Sequence, residues 1–186
     1  MTTNNYNELP TNLPVPLDDG ACNDLKGKKI PSVELTSTTG HIVDLSEIRG
    51  KLVLYFYPMT GNPRESLPNG WDQIPGARGC TPQACSFRDH HKELQELNTQ
   101  VFGVSTQSSE YQKEAVERLH LPFELLSDSK LTLSNSLNLP LFEVDSMSLN
   151  KRVTIIIQDG TIEKVFYPVF PPDKNIDEVI EYLSSN

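Results

Sequence analysis

The pattern of apolar and polar positions changes character along the chain, and each change marks an element. Residues 51–57 (KLVLYFY) are an unbroken apolar and aromatic run between Gly50 and Pro58, which has the length and texture of a central strand buried on both faces. Residues 32–36 and 41–45 are shorter β-type runs separated by Ser37, Thr38, Thr39 and Gly40, a pattern that predicts a hairpin. Over 81–97 the apolar positions Ala84, Phe87, Leu94 and Leu97 recur at spacings of three, seven and three, which is a helical period; Pro82 is tolerated because it falls in the first turn. Further on, 101–105 predicts a strand, 110–119 an amphipathic helix ending before Pro122, 123–126 a strand and 131–137 a short helix. Two β runs, 153–158 and 162–167, flank Asp159-Gly160, whose chemistry suits a tight hairpin turn, and 175–183 closes the chain as a helix.

This order of strand, helix, strand, helix, then strands and a last helix predicts an α/β domain with helices packed on a mixed central sheet. Residues 1–29, with Pro10, Pro14 and Pro16 among polar residues, predict an extended N-terminal arm lying on or near the domain formed by 30–186, because each proline fixes its own φ and biases its predecessor away from helix. Residues 59–79 hold four glycines, three prolines and Trp71, a long irregular loop of the kind that is commonly functional. In layered sheets, ligands sit beyond the carboxyl ends of strands, and the loop after Tyr57 leads to Cys80.

Composition narrows the possibilities. The 186 residues are 37% hydrophobic, enough for one core without staples, and 16 Lys and Arg stand against 25 Asp and Glu, a net charge of −9 with no basic cluster. Nucleic acids and anionic membranes are therefore not expected partners. The first residues show neither a charged n-region nor an apolar h-region, and no stretch approaches the roughly 18 apolar residues of a membrane span, so the expected location is the cytoplasm. Three cysteines, Cys22, Cys80 and Cys85, are too few for a secreted disulfide scaffold.

The close pair, Cys80 and Cys85, invites chemistry. A thiol is a nucleophile only as thiolate, a form favoured at a helix N-terminus or beside a cation. Cys80 opens the predicted helix, behind Gly79, so amides without intrahelical partners point toward its sulfur. Attack on an O–O bond expels hydroxide or alkoxide, and an arginine is the natural stabiliser of that developing charge. On a regular helix, a separation of five residues puts the two Cα atoms about 8.6 Å apart, beyond the roughly 7 Å that a disulfide tolerates. A bond between them would unwind the first turns, 80–86. Spacing alone leaves other readings open: two small buried side chains is the commoner one. A zinc set of Cys80, Cys85, His90 and His91 is disfavoured, because Cys80 and His90 on one continuous helix would differ by about 15 Å in rise.

The segment GCTPQACSFRD, residues 79–89, resembles the active-site motif of the peroxiredoxins of the Q type, also called bacterioferritin comigratory proteins. YFYP at 55–58 looks like the strand and proline that precede that site, and KRVTIIIQDGTIEKVFYP at 151–168 resembles the family's arginine-bearing strand and hairpin. The likeness runs from about Pro31 to Leu183. It implies a thioredoxin-like fold and a thiol-dependent peroxidase, with Cys80 peroxidatic, Cys85 resolving through an intramolecular disulfide, and Arg152 holding thiolate and peroxide. Hydrogen peroxide or small organic hydroperoxides are the implied substrates, and thioredoxin or a similar dithiol the implied reductant. No metal, flavin or haem is called for, and a monomer is preferred. One departure stands out: the family pattern Pro-x-x-x-Thr-x-x-Cys is interrupted, because Pro58 lies 22 residues before Cys80 and Ala77 holds the place of the threonine. Thr60 can supply that hydroxyl if 61–75 bulge outward as an insertion; Thr81 is a weaker substitute.

Other residues carry less. Arg78 adjoins the nucleophile, but an exposed loop arginine is the commoner case, and Arg88 is about 12 Å along the helix from Cys80, better suited to a structural ion pair. Trp71 is expected to anchor the loop, His41, His90 and His91 to be solvated, Cys22 to be incidental in a mobile arm, and Asp18, Asp19 and Gly20 to form a turn. Two rival functions use the same fold: a redox sensor without efficient turnover, and a protein disulfide reductase, each separable by assaying peroxide consumption.

Overall fold

The computed structural model describes residues 5–186. A seven-stranded mixed sheet is built from β1 (Glu34–Ser37), β2 (Ile42–Asp44), β3 (Lys51–Phe56), β4 (Thr99–Ser105), β5 (Leu125–Ser127), β8 (Val153–Gln158) and β9 (Thr161–Phe166), in the spatial order β2-β1-β5-β4-β3-β8-β9. β3 is central, parallel to β4 and antiparallel to β8 in full register, from Lys51 opposite Thr99 and Gln158 to Phe56 opposite Val104 and Val153. Its side chains from Leu52 to Tyr57 are buried on both faces, as an unbroken apolar run requires. Leu52, Leu54 and Phe56 enter one core with Ile155 and Ile157; Val53, Tyr55 and Tyr57 enter the other with Ile156 and the helices.

The helices are α1 (Cys80–Asp89), α2 (His91–Glu96), α3 (Ser109–Leu119), α4 (Thr132–Ser136) and α5 (Asn175–Ser185). The helix expected over 81–97 is two helices, broken at His90, whose φ of −106° and ψ of 11° are not helical and whose ring Nδ1 lies 2.9 Å from the Ser86 carbonyl. An apolar period survives such a break because Phe87 and Leu94 both still reach the same core. The strand expected at 123–126 is shifted to Leu125–Ser127, since its pairing with β4 begins at Gly103 opposite Leu125. Gly103 must lack a side chain there: a Cβ would lie 2.6 Å from the Tyr55 ring. A second hairpin, β6 (Leu141–Val144) and β7 (Met147–Asn150), was not expected; its turn uses Asp145 and Ser146 at positive φ, a place where the usual glycine signal is missing. The hairpin at Asp159-Gly160 forms as expected, with both residues at positive φ.

The N-terminal residues from Asn5 onward lie against the domain. Tyr6, Cys22 and Leu25 are buried, and the latter two belong to the β1–β3–β8 core. Cys22, expected in a mobile arm, is thus a core residue whose thiol burial pushes up to about 12, helped by the nearby Asp19 and Asp18 charges. Asp18 and Asp19 do form a turn into Gly20, and the Asp19 carboxylate accepts from Lys151, Tyr167 and the Ala21 amide.

Candidate active site

Cys80 is the first residue of α1 and only 5% exposed. Gly79, its N-cap, has φ 111°, and a Cβ there would lie 2.5 Å from Pro172 Cγ and 2.7 Å from Leu9 Cδ2, so glycine is required both by backbone conformation and by close packing. Gln83 N–H makes the first bond of the helical ladder, donating to the Gly79 carbonyl at 3.0 Å, and Pro82 has no N–H. The amides of Cys80 and Thr81 are left without intrahelical partners beside the sulfur.

Arg152 precedes β8 and reaches the same point from the other side. Its Nη2 lies 3.3 Å from Cys80 Sγ and also donates to the carbonyls of Gly76, Ala77 and Arg78 at 3.2, 3.2 and 3.4 Å. Its Nη1 donates to Gln83 Oε1 at 2.5 Å, and Gln83 in turn donates to Asn175 Oδ1, which also accepts from Thr154. Among the described residues no carboxylate pairs with Arg152, although it is 3% exposed. A buried cation facing only neutral acceptors and one sulfur is placed to offset negative charge that develops beside it. Here the inserted loop matters: its last residues, Gly76 to Arg78, supply the carbonyls that fix the guanidinium.

The remaining expected residues are brought together as well. Thr60 and Cys80 line one small void with Tyr55, Tyr57 and Ala84, while Thr81 and Cys80 line a second with Tyr6, Met59, Leu67, Trp71 and Arg78. Residues 61–75 do not simply bulge outward from the site, since Gly61, Leu67 and Trp71 line the second void with Cys80. Pro58 and Thr60 are buried, and Thr60 is held by Gln107, its N–H donating to Gln107 Oε1 at 2.9 Å. Tyr57 stands beside the sulfur with its hydroxyl raised well above the ordinary phenol range, chiefly by burial, so it is a neutral hydrogen-bonding group.

Cys85 lies one and a half turns further on, half-buried, packed on the core that contains Phe87 and Leu94, and its thiol is raised by burial against the opposing pull of Arg88. All three cysteines are free thiols. Arg88 indeed serves elsewhere than Cys80, bonding Asp89 and the Leu119 carbonyl. Arg78 departs from its expectation: it is largely buried, paired with Asp72 at 3.1 Å, bonded to the Asn5 carbonyl, and stacked 5.3 Å over the Tyr6 ring. Trp71 anchors the loop, packing against Phe142 of β6 at 6.1 Å. Of the histidines expected to be solvated, His41 is exposed, whereas His90 and His91 are half-buried; His91 packs against Phe123 and burial lowers its pKa.

Gln83, Asn175 and Tyr6 are the site residues that sequence reasoning missed. Gln83 carried a signal, since it stands three positions after Cys80 and so shares its helix face. Asn175 and Tyr6 carried none, because chain folding alone brings them from opposite ends of the sequence.

Comparison with known proteins identifies the family. The redoxin family profile matches residues 25–180. Peroxiredoxin Bcp of Bacillus subtilis (strain 168) is 32% identical over 164 residues, covering 86% of this chain and 92% of that protein. The chloroplastic peroxiredoxin Q of Sedum lineare is 31% identical over 161 residues, covering 86% and 78%. Among solved structures, peroxidoxin BcpB from Mycobacterium tuberculosis superposes with a TM-score of 0.70 at 27% identity, covering 86% of this chain and 96% of that one. A Xanthomonas campestris peroxiredoxin Q structure, at 18% identity and a TM-score of 0.66, shares the fold. With a thioredoxin-like sheet carrying a cysteine at a helix mouth and an arginine against its sulfur, the chain belongs to the redoxin family as a peroxiredoxin of the Q and Bcp kind, a class of thiol peroxidases.

Proposed function

We propose that Cys80 is the peroxidatic residue, Cys85 the resolving one and Arg152 the group that stabilises thiolate and departing oxygen. The observation that carries the assignment is Arg152 Nη2 at 3.3 Å from Cys80 Sγ, in a buried site where the guanidinium has no carboxylate partner among the described residues. The Cys80 thiolate attacks one oxygen of the peroxide; the O–O bond breaks, Cys80 becomes a sulfenic acid, and the second oxygen leaves as hydroxide or alkoxide and takes up a proton. Arg152 and the free amides of Cys80 and Thr81 offset the charge that develops on that oxygen. Pro58, buried just past the end of β3, sets the course of the chain into Thr60, and Thr60 and Thr81 offer hydroxyls to orient the peroxide.

The Cys85 thiol then displaces water from the sulfenic acid to form the Cys80–Cys85 disulfide, and α1 must open, because five helical residues span about 8.6 Å between Cα atoms. A dithiol such as thioredoxin restores both thiols by exchange. The reading extends to a reducing compartment, the cytoplasm, in which such a dithiol is kept reduced, to hydrogen peroxide or organic hydroperoxides as substrates, to residues 30–186 as the catalytic domain and to a monomer as the working unit.

One equivalent of peroxide added to the reduced protein, followed by peptide mass mapping, tests the assignment. The expected product is a Cys80–Cys85 link with Cys22 free, absent in Cys80→Ser. A link through Cys22, or a Cys80→Ser protein that still consumes peroxide, overturns it.

A further inference from the structure

The strand of chain before the first β element does more than pack. Tyr6 borders the void at Cys80, and contacts with described residues help to hold it there: its hydroxyl donates to the Glu65 carbonyl of the inserted loop at 3.2 Å, the Arg78 guanidinium lies 5.3 Å over its ring, and Arg78 Nη2 donates to the carbonyl of the adjacent Asn5 at 3.1 Å. Gly61 meets the same ring, a Cβ there falling 3.2 Å from Tyr6 Cε2, and Leu9 presses on Gly79 beside the sulfur. The space left is small. The void that Tyr6 roofs offers about 10 Å³ to a water-sized molecule, and the one on the Thr60 side offers essentially none. About 10–15 Å³ on this scale is the least that holds one water. Hydrogen peroxide, two heavy atoms long, already needs the cover to give slightly; a branched or aromatic hydroperoxide needs it to give much further.

We propose that Tyr6 is a specificity-determining residue, a roof over Cys80 that screens hydroperoxides by size and that bulky substrates must lift. The proposal rests on Cys80 being the peroxidatic residue. The roof is made of two parts remote in sequence, the arm and the 61–75 insertion, joined through Arg78. Arg78 in turn is fixed by Asp72 within the insertion. Arm and insertion therefore act as one cover, and loosening either exposes the sulfur.

The test compares wild type, Tyr6→Ala and Tyr6→Phe in the full chain. In peroxide turnover, the ratio of kcat/KM for cumene hydroperoxide to that for hydrogen peroxide is expected to rise roughly fivefold in Tyr6→Ala, the factor that follows from losing a closing contact equal to one ordinary hydrogen bond. Tyr6→Phe, which keeps the ring but not the bond to Glu65, falls between. The second readout needs no turnover: in a Cys85→Ala background, the rate of Cys80 alkylation by a bulky N-aryl maleimide relative to iodoacetamide rises by the same order. An unchanged ratio in the alkylation assay overturns the roof. Absence of turnover with every peroxide, while the alkylation ratio still rises, instead refutes the peroxidatic assignment and leaves the roof standing.

Discussion

Replacing Gln83 by methionine removes the one acceptor that holds Arg152 Nη1 while keeping nearly the same volume in a fully buried position. The 2.5 Å bond is charge-assisted, and such bonds contribute about 1.5–3 kcal/mol. The Gln83 bond to Asn175 is neutral and adds about 1 kcal/mol; Thr154 still donates to Asn175 Oδ1 at 2.6 Å, so that oxygen is not orphaned. The expected loss of stability is therefore about 3 kcal/mol, read as a lowered urea midpoint with an unchanged slope. The kinetic effect is separate. All four remaining Arg152 bonds run through Nη2, so without Gln83 the guanidinium can turn about its own axis and Nη2 leaves the sulfur. Losing one donor to a developing oxyanion costs roughly 10²-fold, and partial occupancy of the right pose brings the expectation to between about 10- and 100-fold in the rate constant for peroxide attack. Stopped-flow fluorescence follows the reaction, since Trp71 is the only tryptophan and lines the void at Cys80. If the variant loses stability but reacts within about threefold of wild type, the three loop carbonyls alone hold Arg152, and the positioning role of Gln83 is refuted.

Two further predictions follow from other parts of the structure. Gly79→Ala puts a Cβ against Pro172 and Leu9 at φ 111°, combining left-handed strain of about 1–2 kcal/mol with overpacking of about 1–3 kcal/mol; chemical denaturation is expected to show a loss near 3 kcal/mol, and a loss below 1 kcal/mol refutes the requirement for glycine at this N-cap. Asp19 is held down to about 2 from 3.8 by Lys151, Tyr167 and the Ala21 amide, so its contribution to stability is complete above pH 4 and disappears as the pH falls through about 2; Lys151→Met is expected to flatten the stability profile within that window, and a profile parallel to wild type rules the pair out as a source of acid sensitivity.

Much of the frame is legible in local pattern because local physics sets it. The run at 51–57 could be satisfied only between two layers, and it became the central strand with Tyr55 and Tyr57 on one face and Leu54 and Phe56 on the other. Asp159-Gly160 dictated a hairpin since both residues accept positive φ. The hairpin at 145–146 escaped notice because Asp and Ser adopt the same backbone without the glycine that advertises it. The helix break at His90 escaped for a related reason: an apolar period reports which side chains face the core, and two helices meeting at a bend can serve one core equally well.

The chain's own order of residues determined the chemistry on offer: a cysteine behind Gly79 at the mouth of a helix, a second cysteine five residues on, and an arginine at the head of a buried strand. Only the tertiary structure decided what that chemistry faces. Folding carried Arg152 to the sulfur across 72 positions, brought Thr60 and the Ala77 carbonyl to the same site from the two ends of the 61–75 insertion, and set Tyr6 beside the void at Cys80. Contacts between residues so far apart leave no periodic trace in the sequence, because they depend on how the cores pack and on loop ends meeting, and neither is encoded within the reach of a few neighbouring side chains.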